Sequence, residues 1–377
     1  MIAKEKETRG INGLHPLVKL MFFLVLLYFF LVSVELMGAS FKFFGKGFAK
    51  TLITTTAHPL ISLFIGILVT SIIQSPSATT SMVVAFVAAG TIPIQNAVPI
   101  IMGANIGTSV TNILVSFTQI SYTNEFKRAF SAAVVHDFFN VIMVLIFLPL
   151  ELTTHFLYKS ATIMANFFSG TSSVEFHSPI KMIVKTVVKA IEHFFDGLFN
   201  NHVLDGTLML IFAVLVLFMT LSYIVKIMKG LMGSKTEVVF NNLIKKSGLL
   251  GILIGTIFTM IIQSSSMTTS LLVPLAGAGI ASIEAIFPIT LGANIGTTVT
   301  AILASLATNK LGLTIAFVHL LFNFIGVLLI YPIPAIRNIP ITLAKKFGEI
   351  VATNKKLAIL YVLFLFYVLP WVLVLIF

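Results

Sequence analysis

The chain is 377 residues long, 58% hydrophobic and 10% charged, with a mean hydropathy of +1.06. That leaves too little polar surface to coat a soluble globule of this length, and it indicates an all-α polytopic membrane protein whose solvent is the lipid bilayer. The net charge of +11 sits as pairs at the ends of apolar runs (Lys127-Arg128, Lys245-Lys246, Lys345-Lys346, Lys355-Lys356), which speaks for membrane flanks and against nucleic acid, and the absence of cysteine excludes disulfides, iron–sulfur clusters and thiol nucleophiles.

In chain order, a charged stretch at residues 4–9 precedes an apolar run at 18–37. That run is longer than the core of a signal peptide and lacks a small-residue cleavage site, so it reads as a retained first helix. Uninterrupted runs also occupy 204–228 and 357–377, and runs broken by polar residues occupy 60–73, 126–150, 249–262 and 311–333. Roughly eight to ten spans with re-entrant pieces are expected. Before the second and fifth of these runs, residues 41–56 and 230–247 are less apolar and rich in Gly and Lys, as re-entrant hairpins or plain loops would be. The expected organisation is a first transmembrane repeat at 1–150, a connector at 151–202, a second repeat at 203–350 and a C-terminal helix at 351–377. Within the connector, Lys181, Lys185 and Lys189 recur every fourth residue among Ile and Val, the pattern of an amphipathic helix in the interface plane.

The repeats announce themselves in polar motifs set inside apolar text. Gln74-Ser75-Pro76-Ser77-Ala78-Thr79-Thr80-Ser81 returns as Gln263-Ser264-Ser265-Ser266-Met267-Thr268-Thr269-Ser270, at an offset of 189 residues. Each is followed at the same distance by Gly-Ala-Asn-Ile-Gly-Thr, from Gly103 and from Gly292, and more than half of positions 70–114 are identical to 259–303. A third element pairs His136-Asp137-Phe138-Phe139-Asn140 with His319-Leu320-Leu321-Phe322-Asn323, the offset now 183. The chain is an internal duplication.

Hydrocarbon cannot satisfy polar groups, so the Gln and hydroxyls must face one another, a cavity or a ligand. Amide carbonyls and hydroxyls are hard oxygen donors suited to sodium, and hydroxyls with freed N–H groups at helix starts can donate to an oxyanion. No Lys or Arg lies between Lys50 and Lys127 or between Lys246 and Lys310, so an anion bound there needs co-bound cations. Pro76, Pro99 and Pro288 disfavour unbroken helix, and Gly103, Gly107, Gly292 and Gly296 permit turns or close backbone approach. Together these predict discontinuous helices meeting near the midplane. His136 and Asn140, like His319 and Asn323, share a helix face, whereas Asp137 has no acidic counterpart. Glu35 and Glu284 are the other acids inside or bordering apolar runs.

These three motifs, doubled, closely resemble the type II sodium-dependent phosphate cotransporters over nearly the whole chain. The resemblance implies symport of inorganic phosphate with sodium ions in the cell membrane, two repeats of inverted topology, alternating access and, in many members, a homodimer. It implies a phosphate site at Ser75, Ser77, Ser264, Ser265 and Ser266. It places sodium on Gln74, Gln263, Thr297 and Thr300, with Thr108 and Thr111 as first-repeat equivalents; repeat logic adds Asn105 and Asn294. Two departures stand out: Pro76 replaces the family's middle serine, and the acid that electrogenic animal members carry after the first motif is missing, which leaves the charge moved per cycle open. No organic cofactor and no enzymatic role are implied. Competing readings are phosphate export, sodium-coupled transport of another oxyanion, a passive anion channel, and a membrane phosphatase. The phosphatase lacks a base and cationic clamp near the motifs.

Overall fold

The computed structural model describes residues 15–40, 43, 54, 56–169, 179–199, 201–232 and 248–376, and the regular structure among them is entirely helical. The charged stretch at 4–9 and most of 41–56 and 230–247 lie outside the described residues. The helices are α1 (Pro16–Ser40), α2 (Pro59–Ile73), α3 (Pro76–Ala88), α4 (Ile94–Gly107), α5 (Ser109–Ser116), α6 (Thr123–Thr154), α7 (Phe156–Ser169), α8 (Pro179–Phe195) and α9 (His202–Met232). They continue with α10 (Gly248–Ile262), α11 (Ser265–Gly277), α12 (Ile283–Ser305), α13 (Lys310–Ile330), α14 (Pro334–Thr353) and α15 (Lys356–Ile376).

Among the described residues, seven helices are long and apolar enough to cross a membrane: α1, α4 with α5, α6, α9, α12, α13 and α15. The remainder of the expected eight to ten spans is taken up by shorter pieces. α2 and α10 have 15 residues each and α3 and α11 have 13, so each is about 20 Å long, short of a hydrocarbon core about 30 Å thick.

The breaks fall at the Gln-Ser steps rather than at the interior prolines and glycines. Pro99 and Pro288 lie inside continuous helices, and Thr108 between α4 and α5 is itself helical at φ −58°, ψ −30°. This corrects the expectation of interruption there. A proline removes one backbone bond, and the helix persists where packing clamps it. Gly103 and Gly292 provide that clamp through close approach. A Cβ on Gly103 would overlap the Leu63 carbonyl of α2, and one on Gly292 would overlap the Ile252 carbonyl of α10. The same contact recurs at equivalent residues of both halves, and in return Gly66 and Gly255 sit against Ile100 and Ile289.

The halves interlock. α3 of the first half packs on α12 and α13 of the second, while its counterpart α11 packs on α5 and α6 of the first. The exchange extends outward, with α7 on α13, α14 on α6, and α1 against α9. Buried aromatic rings pin the seam: Phe139 meets Phe287 edge to face at 6.1 Å, and Phe147 meets Phe322 at 5.7 Å. Ile72, Leu145, Ile163, Leu215 and Leu360 are exposed, as side chains that face lipid are. On α8, Val184 and Val188 are buried and Lys185 and Lys189 exposed, as the amphipathic pattern predicts.

Candidate functional site

Each Gln-Ser step is built alike. Gln74 ends α2 at φ 54° and Gln263 follows α10 at φ 60°, both left-handed, a conformation costing about 1–2 kcal/mol for a residue with a Cβ. The turn re-aims the chain so that the next residue caps a new helix. The Ser75 hydroxyl accepts from the Ala78 N–H at 3.2 Å to start α3, and Ser264 accepts from the Met267 N–H at 3.3 Å to start α11. A capping hydroxyl still has its proton to donate. Pro76 occupies the first helical position of α3, where the missing N–H would have had no intrahelical partner. Its cost is therefore two fewer donors at the mouth of α3 than at that of α11, one N–H and one hydroxyl, both of which Ser265 keeps.

Three of the expected residues meet across the seam. The Ser77 hydroxyl lies 3.3 Å from the Gln263 carbonyl oxygen and 3.3 Å from Thr300 Oγ1, and Thr300 donates to Gln263 Oε1 at 2.8 Å. Ser265, Ser266 and Thr297 are buried, and none of their hydroxyls has a protein partner. An unpaired buried hydroxyl costs about 1–3 kcal/mol, so these three, at the start of α11 and one turn before Thr300 on α12, are candidates to hold a polar ligand. Other expected residues are placed differently. Thr108 spends its hydroxyl on Ala104 of its own helix at 3.0 Å, Gln74 is exposed, and no hydrogen bond joins Gln74 or Thr111 to the cluster.

Asn294 and Asn105 belong to a buried polar chain behind the motifs. Thr269 and Ser270 of the second motif donate to Asn112 Oδ1 at 2.8 and 3.2 Å, and Asn112 Nδ2 lies 3.4 Å from His136 Nδ1. His136 Nε2 lies 2.6 Å from Asn294 Oδ1; Asn294 donates to Asn140 Oδ1 at 2.8 Å, and Asn140 donates to the Asn105 carbonyl at 2.8 Å. Asn105 itself donates back to Ile101 at 2.9 Å. Sequence reasoning missed Asn112 because its repeat counterpart is Ala301, so comparing the halves passes over it. The available signal was its position four residues after Thr108, on the same helix face.

The far ends of the swapped helices are also tied to the opposite half. Asn309, which caps α13, donates to the Ala88 carbonyl at the end of α3 at 2.8 Å. Arg128 of α6 donates to the Ala276 and Gly277 carbonyls at the end of α11, its Nε at 3.2 and 2.9 Å. Beside it, Glu349 of α14 pairs with Lys127 at 2.7 Å, which holds that carboxyl below the usual glutamate range, and Lys345 pairs with Glu284. Glu284 thus serves at a helix start.

The family model of the Na+/Pi-cotransporter matches residues 29–170 and 216–339. The chain is 34% identical to sodium-dependent phosphate transport protein 2B of Homo sapiens over 97% of its own length and 66% of the relative's, with the same figures for the Pongo abelii protein. It is 32% identical to sodium-dependent phosphate transport protein 2A of Rattus norvegicus over 94% of this chain and 67% of that one. The chain thus spans about two thirds of the length of these relatives. No solved structure matches. The family match covers well over half of the chain, which therefore belongs to the Na+/Pi-cotransporter family, a family of transporters and not of enzymes.

Proposed function

We propose that the protein is a sodium-coupled symporter of inorganic phosphate in the cell membrane, with one shared site between the two Gln-Ser motifs. The observation that carries this reading is the cross-repeat contact of Ser77 with Gln263 and Thr300, beside the unpaired hydroxyls of Ser265, Ser266 and Thr297. Phosphate is held by hydroxyls of Ser75, Ser77, Ser264, Ser265 and Ser266 and by the free N–H groups at the starts of α3 and α11. Sodium takes the oxygens of Gln74, Gln263, Thr297 and Thr300, with Asn105, Asn294, Thr108 and Thr111 as further donors. Because the sequence has no Lys or Arg between Lys50 and Lys127 or between Lys246 and Lys310, sodium supplies the counter-charge, and each ion raises the other's affinity by the same factor.

The interlocked helices support two repeats of inverted topology, at 1–150 and 203–350, rocking against one another in alternating access. The connector at 151–202 and the helix at 351–377 brace them, and the family resemblance favours a homodimer. The test is uptake of labelled phosphate into liposomes carrying the purified protein, under an inward sodium or an equal potassium gradient. Accumulation in sodium alone, lost in Gln263→Ala, is the expected result. Equal flux in both salts makes the protein a channel, and uptake of another oxyanion in place of phosphate rejects the substrate.

A further inference from the structure

α2 and α10 end alike in their backbones and differ in one donor. The Gln74 N–H closes on the Thr70 carbonyl and the Gln263 N–H on the Thr259 carbonyl, each at 2.7 Å. The next carbonyl along, that of Ser71 in the first half and of Met260 in the second, has no backbone N–H ahead of it, as the last carbonyls of a helix do not. Both turns are packed alike from behind. Gly107 of α4 lies against Thr70 and Ser71, and Gly296 of α12 lies against Thr259 and Met260.

In the second half the glutamine closes its own helix end. Gln263 Nε2 donates to the Met260 carbonyl and its Oε1 accepts from Thr300, so the amide is fixed at both atoms. In the first half the donor comes from beyond both copies of the motifs: the Tyr367 hydroxyl of α15 donates to the Ser71 carbonyl at 3.1 Å. α15 packs on α2, where Ser71 is buried, whereas Met260 is exposed. The turn that carries this phenol, Phe364–Val368, is a π turn inside α15, a kind of insertion that recurs at functional sites. Gln74 is exposed, and its side chain forms no hydrogen bond with the described residues. An unpaired carbonyl draws a nearby amide back onto the helix end, and a phenol already seated on it removes that draw.

We propose that Tyr367 is a positioning residue for the first motif: by occupying the Ser71 carbonyl it holds the Gln74 amide off its own helix and leaves both amide atoms free for an ion. The two glutamines then do different work. Gln263 is a fixed wall of the site, and Gln74 is the arm that closes on the ion. As a role in transport this rests on the symport reading above, in which both glutamines hold sodium.

The experiment is a double-mutant cycle on the purified full chain with Tyr367→Phe, Gln74→Ala and the two together, read in two ways. The first is the thermal midpoint without sodium or phosphate. In Tyr367→Phe the vacated carbonyl takes the Gln74 amide and the midpoint should barely move; in the double variant nothing refills it, and the midpoint should fall by more than the two single changes together. The second is the sodium dependence of phosphate uptake in liposomes. Tyr367→Phe should raise the half-saturating sodium concentration about fivefold, the worth of one hydrogen bond, at an unchanged maximal rate, and should add nothing in the Gln74→Ala background. Equal midpoint losses in both backgrounds would make Tyr367 a packing residue and overturn the proposal. In a sodium-driven transporter, a sodium dependence untouched by Tyr367→Phe overturns it as well. If Gln74→Ala does not fold, Gln74→Met, which keeps the stem and loses the amide, takes its place. The non-additive midpoint in a protein whose phosphate uptake ignores sodium would leave the positioning of Gln74 standing and reject the symport reading instead.

Discussion

The two halves share a backbone and differ in their hydrogen bonds. Gln263 is buried and bonded to Thr300, while Gln74 is exposed. Ser77 reaches the opposite half, while its counterpart Ser266 has no partner. His136 and Asn140 hold Asn294 between them, yet neither ring nitrogen of buried His319 has a partner, Asn323 Oδ1 is unpaired, and Asn105 turns back on its own helix. The contacts of Ser77 with Gln263, of His136 with Asn294 and of Asn294 with Asn140 thus cross the seam in one direction, and their equivalents in the other are unmade. The glycine contacts between α2 and α4 and between α10 and α12, by contrast, are the same in both. The scaffold is thus symmetric and the polar seam is not.

The strongest way to break the comparison is through what the halves share. Gly103→Ala and Gly292→Ala each drive a methyl group into a backbone carbonyl of the clamped partner helix. Overpacking against backbone costs about 3 kcal/mol, so both variants should lose monodisperse protein in detergent, and to a similar degree. Tolerance at one site and collapse at the other would show that the two clamps are not equivalent.

The next test sharpens what the halves do not share. His136→Phe strands Asn294 and Asn112, and each buried unpaired group costs about 1–3 kcal/mol, so its thermal midpoint should fall by several degrees. His319→Phe replaces a ring that bonds nothing and should leave the midpoint unchanged or raised. Equal loss of stability in both would contradict the asymmetry.

A smaller effect separates the motif serines. Ser77→Ala removes a bond across the seam and should cost about 1 kcal/mol without ligand, whereas Ser266→Ala, with no partner to lose, should be neutral. Both should weaken phosphate-dependent stabilisation at least tenfold.

Least of all should come from the rim. Lys127 holds the carboxyl of Glu349 below its ordinary range, so any contribution is present above the unfolded glutamate range and lost as the pH falls through the lower folded value. The pair is exposed and screened by water, and Glu349→Gln should not shift the midpoint measurably at neutral pH.

Much of this was legible in the sequence, because duplication is a pattern that sequence states directly. The membrane class, the doubled motifs and the chemistry of hydroxyls and amides without nearby cations all follow from residue types and spacing. Pro99 and Pro288 misled because the clamp that keeps their helices whole is a glycine contact with another helix. Asn112 was hidden for a related reason: its repeat counterpart is Ala301, and it acts on residues far away in the chain. The asymmetry was beyond reach altogether, since near-identical motifs carry no mark of which copy is bonded.

The most direct test of the central claim is calorimetric titration of phosphate into the purified protein in sodium chloride and in choline chloride, for the wild type, Ser77→Ala and Ser266→Ala. One shared site built from both motifs predicts one phosphate per chain, binding that requires sodium, and loss of that binding in either variant. Binding indifferent to sodium, or two phosphates per chain of which each substitution removes one, would contradict it.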